Sequence, residues 1–422
     1  MGVINHTIIY NSVEEYIANV RDGKFLSDIV IVKEKEKELF KYVKEKSLKD
    51  NSLLPLLAYL YLHGYGCEEN QELAFKLFIS IESSTHNSEI QYYIANCYFM
   101  ATGVEKNDEE AFKWYEKSAM QNHPYAQYRL AIMNYNGLGT DVNNDEVYKW
   151  ASKSAEQGYN LAYKFLGLLY SQGIGVEKDA KKGFEYYKLA FDNGEERAAT
   201  DLGLCYFYGN GVEQNLEKAL EMFFINGKKG EDVSQYLIGL CYYYGYGVDV
   251  NYEEAVNWFL LASKQGNYYA QEILATCYLH GQGVEVDYEE AFKWFYKAAK
   301  AGFSLAQQKL AKCYYDGIGV DQSNELAFKW FEIAAIAGDS NAQTNLGYCY
   351  ENGTGVKKDY SKALYWYQKA SDQENSRAQY NIGYLYLHGI GVEKNLDLAK
   401  KYFMKSSING NKDADEILKE IL

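Results

Sequence analysis

Apolar residues recur along this chain at three- and four-residue spacing, and the recurrence has a longer period of its own. A Gly-x-Gly-Val signature punctuates it, with second glycines at Gly66, Gly103, Gly139, Gly175, Gly211, Gly247, Gly283, Gly319, Gly355 and Gly391. The first interval is 37 residues and the next eight are 36. Counted from thirteen residues before that glycine, position one is small in most units (Ala126, Ala162, Ala198, Ala270, Ala306, Ala342, Ala378). Position five is Leu or Ile, as at Ile94 and Ile382, position six is Gly or Ala, and position nine is Tyr except at Asn134. At 3.6 residues per turn, positions one, five, eight, nine and twelve fall within about 100° of one another and form one face of a first helix.

The two glycines end that helix and turn the chain, because glycine reaches positive φ without strain. A second helix is predicted to start after position eighteen. The residues there are Asn70, Asn107, Asn143, Asp179, Asn215, Asn251, Asp287, Ser323, Asp359 and Asn395, all preferred N-caps. In four units a Glu three residues on (Glu110, Glu146, Glu254, Glu290) is expected to complete a capping box. The second helix is expected to bury Ala at position twenty-two and an aromatic pair at twenty-five and twenty-six. Trp114–Tyr115, Trp258–Phe259, Trp294–Phe295, Trp330–Phe331 and Trp366–Tyr367 are such pairs.

One helix pair cannot bury its apolar face alone, but stacked neighbours can. The expected fold is therefore all-α, an α-solenoid of about ten 36-residue helix–turn–helix repeats with terminal caps. Three segments are expected: 1–52 as an N-terminal cap with a degenerate leading repeat, 53–413 as the ten repeats, and 414–422 as a capping helix. The leading repeat rests on 32–49, where Val32 aligns with Val104 and Leu39 with Ala111, with residues 10–21 as an irregular first helix.

The pattern Ala-x-x-x-Leu-Gly-x-x-Tyr-x-x-Gly-x-Gly-Val, an Asp/Asn cap, then Ala-x-x-Trp-Tyr-x-x-Ala-Ala resembles the Sel-one-like repeat, a branch of the tetratricopeptide class. The resemblance covers residues 53–422. It implies a right-handed superhelix whose first helices line the concave side. It also implies adaptor and scaffold roles, in quality-control complexes of eukaryotes and in signalling, virulence and toxin–immunity systems of bacteria.

Composition narrows the partners. The chain is 47% apolar, so a core can be built, and its two prolines, Pro55 and Pro124, fall near helix starts. A formal net charge of −15 repels phosphate, which argues against nucleic acid. No apolar stretch approaches the ~18 residues that span a bilayer, so no membrane insertion is expected. The N-terminal MGVINHTIIY has no basic region followed by a long apolar run, and His6 stands where myristoylation wants Ser or Thr. A cytoplasmic protein, monomeric on its own, is the expectation, with signal-independent secretion left open.

Candidate chemistry is sparse. Cys97, Cys205, Cys241, Cys277, Cys313 and Cys349 share position eight, where other units place Leu60, Met133, Leu169 or Leu385, so the slot reads as apolar core. Equivalent helices ~9–10 Å apart also exceed the reach of a disulfide, and all seven cysteines are expected to be free, buried thiols. His63, His280 and His388 share position eleven in distant units, and His6, His86 and His123 have no helical spacing with them, so no metal site is expected. The Gly-x-Gly loops lack a P-loop lysine. The Lys/Glu run at 33–49 reads as a solvated helix face. No acid/base couple stands out, no cofactor is implied, and an enzyme is disfavoured.

Positions three, seven and ten lie opposite the core face, yet they carry Tyr92, Phe99, Tyr128, Tyr135, Phe207, Tyr236, Tyr243, Tyr315, Tyr348, Tyr380 and Tyr384, with Leu168, Leu204, Leu240 and Leu279 beside them. An aromatic stripe on a face the core does not need is a candidate surface for a protein or peptide partner, set on the concave side. Two alternatives to a general scaffold stand beside it: a bacterial immunity protein that wraps a cognate secreted toxin, and an enzyme. The competing structural reading is that tight stacking buries part of the stripe.

Overall fold

The computed structural model describes Ile8, Ile9, Val13, Ile17, Ala18, Phe25, Leu26 and residues 29–421. β1 (Ile8–Ile9) and β2 (Ile29–Val30) form a two-residue parallel pair, and α1 (Glu36–Lys46) follows. The repeats then supply α2 (Leu54–His63), α3 (Gln71–Thr85), α4 (Ser88–Met100), α5 (Asp108–Met120), α6 (Pro124–Asn136), α7 (Asn144–Glu156), α8 (Asn160–Gln172), α9 (Ala180–Asp192), α10 (Ala198–Tyr208) and α11 (Leu216–Gly227). They continue with α12 (Asp232–Tyr244), α13 (Tyr252–Lys264), α14 (Tyr268–His280), α15 (Tyr288–Lys300), α16 (Ser304–Asp316), α17 (Asn324–Ile336), α18 (Ser340–Asn352), α19 (Tyr360–Ser371), α20 (Ser376–His388), α21 (Leu396–Ile408) and α22 (Lys412–Ile421). Two compact units result, Met1–Met222 and Phe223–Leu422. Each is an all-α stack of helix hairpins, apart from the strand pair in the first. The irregular helix expected at 10–21 lies outside the described residues save for Val13, Ile17 and Ala18, which are helical.

The second helices open as the sequence predicts. Asn251 accepts from the Glu254 amide at 3.1 Å and Asp287 from the Glu290 amide at 2.9 Å. The capping box, however, is not closed. The amides of Asn107, Asn143, Asn251 and Asp287 donate instead to the position-nine carbonyls of Tyr98, Asn134, Tyr242 and Tyr278 at 2.8–3.2 Å. With that donor already used, Glu110, Glu146 and Glu290 pair with Lys113, Lys149 and Lys293 on the next turn.

The turn glycines have two separate causes. The first of each pair caps its helix in the left-handed region, as Gly281 does at φ 70°, and Ala101 holds the same place at φ 58°. The second also touches the preceding hairpin: a Cβ on Gly283 would overlap the carbonyl of Tyr252, the first residue of α13. Gly66 meets the Glu36 carbonyl in the same way, so α1 stands where a preceding second helix would.

Of the expected aromatic pairs only Trp294–Phe295 is buried as a pair. Tyr115, Phe259, Phe295, Phe331 and Tyr367 at position twenty-six are buried, whereas Trp114, Trp258, Trp330 and Trp366 at twenty-five are only half-buried. Adjacent helix residues point about 100° apart, so only one of the two faces the first helix. The tryptophans instead cover the outside, with Lys117 Nζ 3.7 Å from the Trp114 ring centre.

Two contacts between successive repeats were not foreseen. The ring at position twenty-three meets the next repeat's position-nine tyrosine edge-on: Phe75–Tyr98 at 5.4 Å and Phe184–Tyr206 at 5.5 Å in the first unit, Phe292–Tyr314 at 5.3 Å in the second. The other contact is a buried glutamine at position two. Gln343 Nε2 donates to the Ala335 carbonyl at 3.1 Å, and its Oε1 accepts from Gln373 at 2.9 Å. Gln271 and Gln307 make the first bond at 3.0 and 3.2 Å. Their Oε1 atoms have no partner, because Ala301 and Ala337 stand where the second glutamine would be.

Candidate protein-binding face

All eleven aromatic residues of the stripe keep exposed surface. In the first unit Tyr92, Phe99, Tyr128, Tyr135 and Phe207 are half-buried. In the second, Tyr236, Tyr243, Tyr315 and Tyr380 are half-buried, and Tyr348 and Tyr384 are 38% and 39% exposed.

The rings are nevertheless not independent of the core, which corrects the sequence expectation. Tyr236 and Tyr243 lie 6.2 and 6.1 Å from Phe259, Phe99 lies 6.4 Å from Tyr115, and Tyr380 lies 5.4 Å from Phe403. The cause is helical spacing. Position six is three residues from position three and four from position ten, so the rings at three and ten flank the small residue on which the position-twenty-six ring sits. Their inner edges close the core and their outer edges face solvent. Other partners fix them further. Tyr243 Oη donates to Gln282 Oε1 at 2.7 Å, Tyr92 stacks on His123 at 4.8 Å, and Tyr128 and Tyr135 both meet Phe165 edge-on.

Clefts open between successive first helices. In the first unit Leu168, Tyr187, Asp201, Leu204 and Tyr208 line one of about 410 Å³. In the second unit a cleft of about 300 Å³ is lined by Gln308, Lys312, Tyr315, Asn345, Tyr348 and Arg377. A hydrogen bond with Tyr348 is the main cause holding the Tyr315 hydroxyl above its usual pKa. The neighbouring cleft, about 520 Å³, shares Gln308 and Lys312 and adds Leu279, His280, Phe295 and Ile318.

Sequence reading missed the polar members of this face. The available signal was the scarcity of arginine. The chain has four, and three of them, Arg129, Arg197 and Arg377, fall at position four or just before position one of a first helix. Arg129 is half-buried and hydrogen-bonded with Tyr92, while Arg197 forks onto Glu195 at 2.6 and 3.0 Å.

The position-eight cysteines sit beneath the face as free thiols, and burial pushes Cys97, Cys241, Cys277 and Cys349 up to about 12. Cys67 departs from the expectation. It lies past the turn rather than in the position-eight slot and is half-buried. His123 is buried, caps α6 by accepting the Ala126 amide through Nδ1, and is lowered to about 3 by burial. Among the described residues no three His, Cys, Asp or Glu side chains converge as a metal site, and no helix is long and apolar enough to cross a membrane.

The model of the Sel1 repeat matches residues 56–80, 88–123, 124–159, 160–195, 197–224, 232–267, 269–303, 304–339, 340–375 and 376–411. The chain belongs to the Sel1 repeat family. Among solved structures, it is similar to a protective antigen present in uropathogenic Escherichia coli strains, which displays the SLR fold. The TM-score is 0.72 at 25% identity, covering 98% of this chain and 91% of that one. A Sel1 repeat protein from Oxalobacter formigenes matches with TM-score 0.54 and 27% identity over 76% of this chain and 91% of its own. An immunity protein from Pseudomonas aeruginosa is 19% identical over 61% of this chain and 83% of its own, and its TM-score of 0.26 supports no argument. No curated protein matches the sequence. Sel1 repeat proteins are typically protein-interaction scaffolds.

Proposed function

We propose that this Sel1 repeat protein is a non-catalytic scaffold of the cytoplasm that holds a peptide or protein segment on its first-helix face. The observation that carries the proposal is the aromatic stripe: Tyr92, Phe99, Tyr236, Tyr243 and Tyr380 rest on position-twenty-six rings, and all eleven residues keep exposed surface. Rings fixed from beneath lose little conformational freedom on binding, and aromatic anchors often contribute ~2 kcal/mol or more each. Neither the toxin-immunity reading nor an enzyme has an observation of its own in this chain.

The test uses a partner captured from a lysate and titrated against purified variants. Tyr348→Ser with Tyr384→Ser removes the two most exposed rings of the stripe without touching the buried Phe259 or Phe403. Tyr296→Ser with Tyr365→Ser removes exposed rings from second helices as a control. The proposal expects at least about a tenfold loss for the first pair only. Equal affinity for both pairs would overturn it.

A further inference from the structure

We infer that the two adjoining clefts of the second unit seat an extended peptide segment carrying an acidic side chain about three residues from an aliphatic one. This rests on the binding role proposed for the first-helix face and names the chemistry that face would select.

The charge of the smaller cleft is the first argument. In a chain of net charge −15, this opening is walled by Tyr315 and Tyr348 and holds Lys312 and Arg377. Both cations are exposed, and among the described residues neither forms an ion pair. Their neighbour Lys309 differs, being held by Glu272 and by Thr276 Oγ1 at 3.0 Å. Asp316 is the one acid lining the cleft, and Glu351 nearby is engaged by the Tyr367 hydroxyl at 2.6 Å. A carboxylate entering between Lys312 and Arg377 gains two cations and relieves their mutual repulsion. Because both cations are exposed, each contact is a surface pair of modest worth that salt screens, and the two acting on one carboxylate supply the selectivity.

The larger cleft is more apolar, although Lys309 and Lys312 stand on its wall. Leu279, Phe295, Cys313 and Ile318 make an apolar lining. Burial raises Cys313 to about 11, so the thiol stays neutral and adds no charge there. An aliphatic side chain fits this chemistry. The two clefts share Gln308 and Lys312, so they are immediate neighbours one repeat apart. Packed helices lie about 9–10 Å apart, and extended chain advances about 3.3 Å per residue, so about three residues join the two subsites. The side-chain amide of Gln308 is common to both clefts and that of Asn345 lines the smaller one, and an amide can both donate to and accept from a peptide backbone whatever its sequence.

The experiment is a selection of random dodecapeptides displayed on phage against the full chain, followed by anisotropy titration of the enriched peptides made synthetically. Enriched sequences are expected to share Asp or Glu three residues from Leu, Ile, Val or Met. Their affinity should fall at least about tenfold for Lys312→Glu with Arg377→Glu, and fall with added salt. Replacing the peptide's acid by Lys should restore binding to that charge-reversed variant. Lys312→Gln with Arg377→Gln, which removes the charges but keeps polar side chains on these exposed positions, should show the loss with an unchanged melting temperature. Enriched peptides without an acid, or acidic peptides that bind both double variants as tightly as the native chain, would overturn the inference. If binding ignores Lys312 and Arg377 but is lost with Tyr348→Ser and Tyr384→Ser, the face binds and only the acidic-segment inference fails. Binding that ignores both sets, or a selection with no binder, contradicts both.

Discussion

Gly239 sits flat on Phe259: a Cβ on the glycine would lie 2.5 Å from ring carbons Cδ1 and Cε1. Gly167 on Tyr187 and Gly347 on Tyr367 repeat the arrangement at 2.6 Å. Phe259 is also flanked by Tyr236 and Tyr243, so it has little room to yield. Gly239→Ala is expected to destabilise the protein by about 1–3 kcal/mol, the usual range for overpacking, read as a lower melting temperature. Ala275→Gly, at the same position of the next repeat, should cost only about 0.5–1 kcal/mol through helix propensity. If Gly239→Ala melts like the native chain, the ring is not seated as described.

The turn glycines separate strain from contact. Gly302 has φ 93° with nothing within 4 Å of an added Cβ, whereas Gly283 at φ 72° faces the Tyr252 carbonyl. Gly302→Ala should cost about 1–2 kcal/mol from backbone strain alone. Gly283→Ala should lower the melting temperature clearly more, because two hairpins must also separate. Gly247→Val, at φ 71°, puts a β-branched residue in the left-handed region and should also lower the melting temperature. Equal shifts for Gly302 and Gly283 would show that the inter-repeat contact contributes nothing.

The orphaned acceptors of Gln271 and Gln307 offer a gain of stability. Ala301→Gln and Ala337→Gln place an amide where Gln373 serves Gln343, on exposed positions with room for it. Each is expected to raise stability by about 0.5–1.5 kcal/mol in thermal or urea unfolding. No change in either variant would mean that these acceptors are already satisfied.

Thiol reactivity should divide by place in the repeat. At pH 8 an Ellman titration of the native protein is expected to find Cys67 quickly and the six position-eight thiols only after denaturation, seven in all. The sign of the pH effect follows. Folded thiols raised to about 12 in Cys97, Cys241, Cys277 and Cys349 hold their protons more tightly than unfolded ones. The stability they contribute is complete below about pH 8.5 and is lost as pH rises toward 12. Rapid native labelling of several thiols would contradict the burial.

Much of the fold was legible because its signals are local. The N-caps at Asn70 to Asn395 and the glycine turns bind residues three to eight apart in sequence. What escaped spans repeats. The Phe75–Tyr98 contact and the Gln343–Gln373 bond join residues 23 and 30 apart, and no single-helix pattern encodes them. The closed capping box was misjudged for a different reason: the competing acceptor, the Tyr98 carbonyl, lies in the preceding helix of the same repeat, outside the cap motif itself. The aromatic stripe was legible as a face. Its contact with the core was not, because that depends on how the position-twenty-six ring seats on position six. Lys312 and Arg377 looked like ordinary surface charges until the clefts grouped them with Tyr315 and Tyr348.

The most direct test of the account is hydroxyl-radical footprinting of the full chain, free and bound to its captured partner, with oxidation read at each tyrosine by mass spectrometry. The binding face predicts protection concentrated on the first-helix set, above all Tyr348 and Tyr384, while the exposed second-helix tyrosines Tyr296 and Tyr365 oxidise equally in both states. Protection of Tyr296 and Tyr365 with Tyr348 and Tyr384 unchanged would place the partner on the opposite helices and contradict the account.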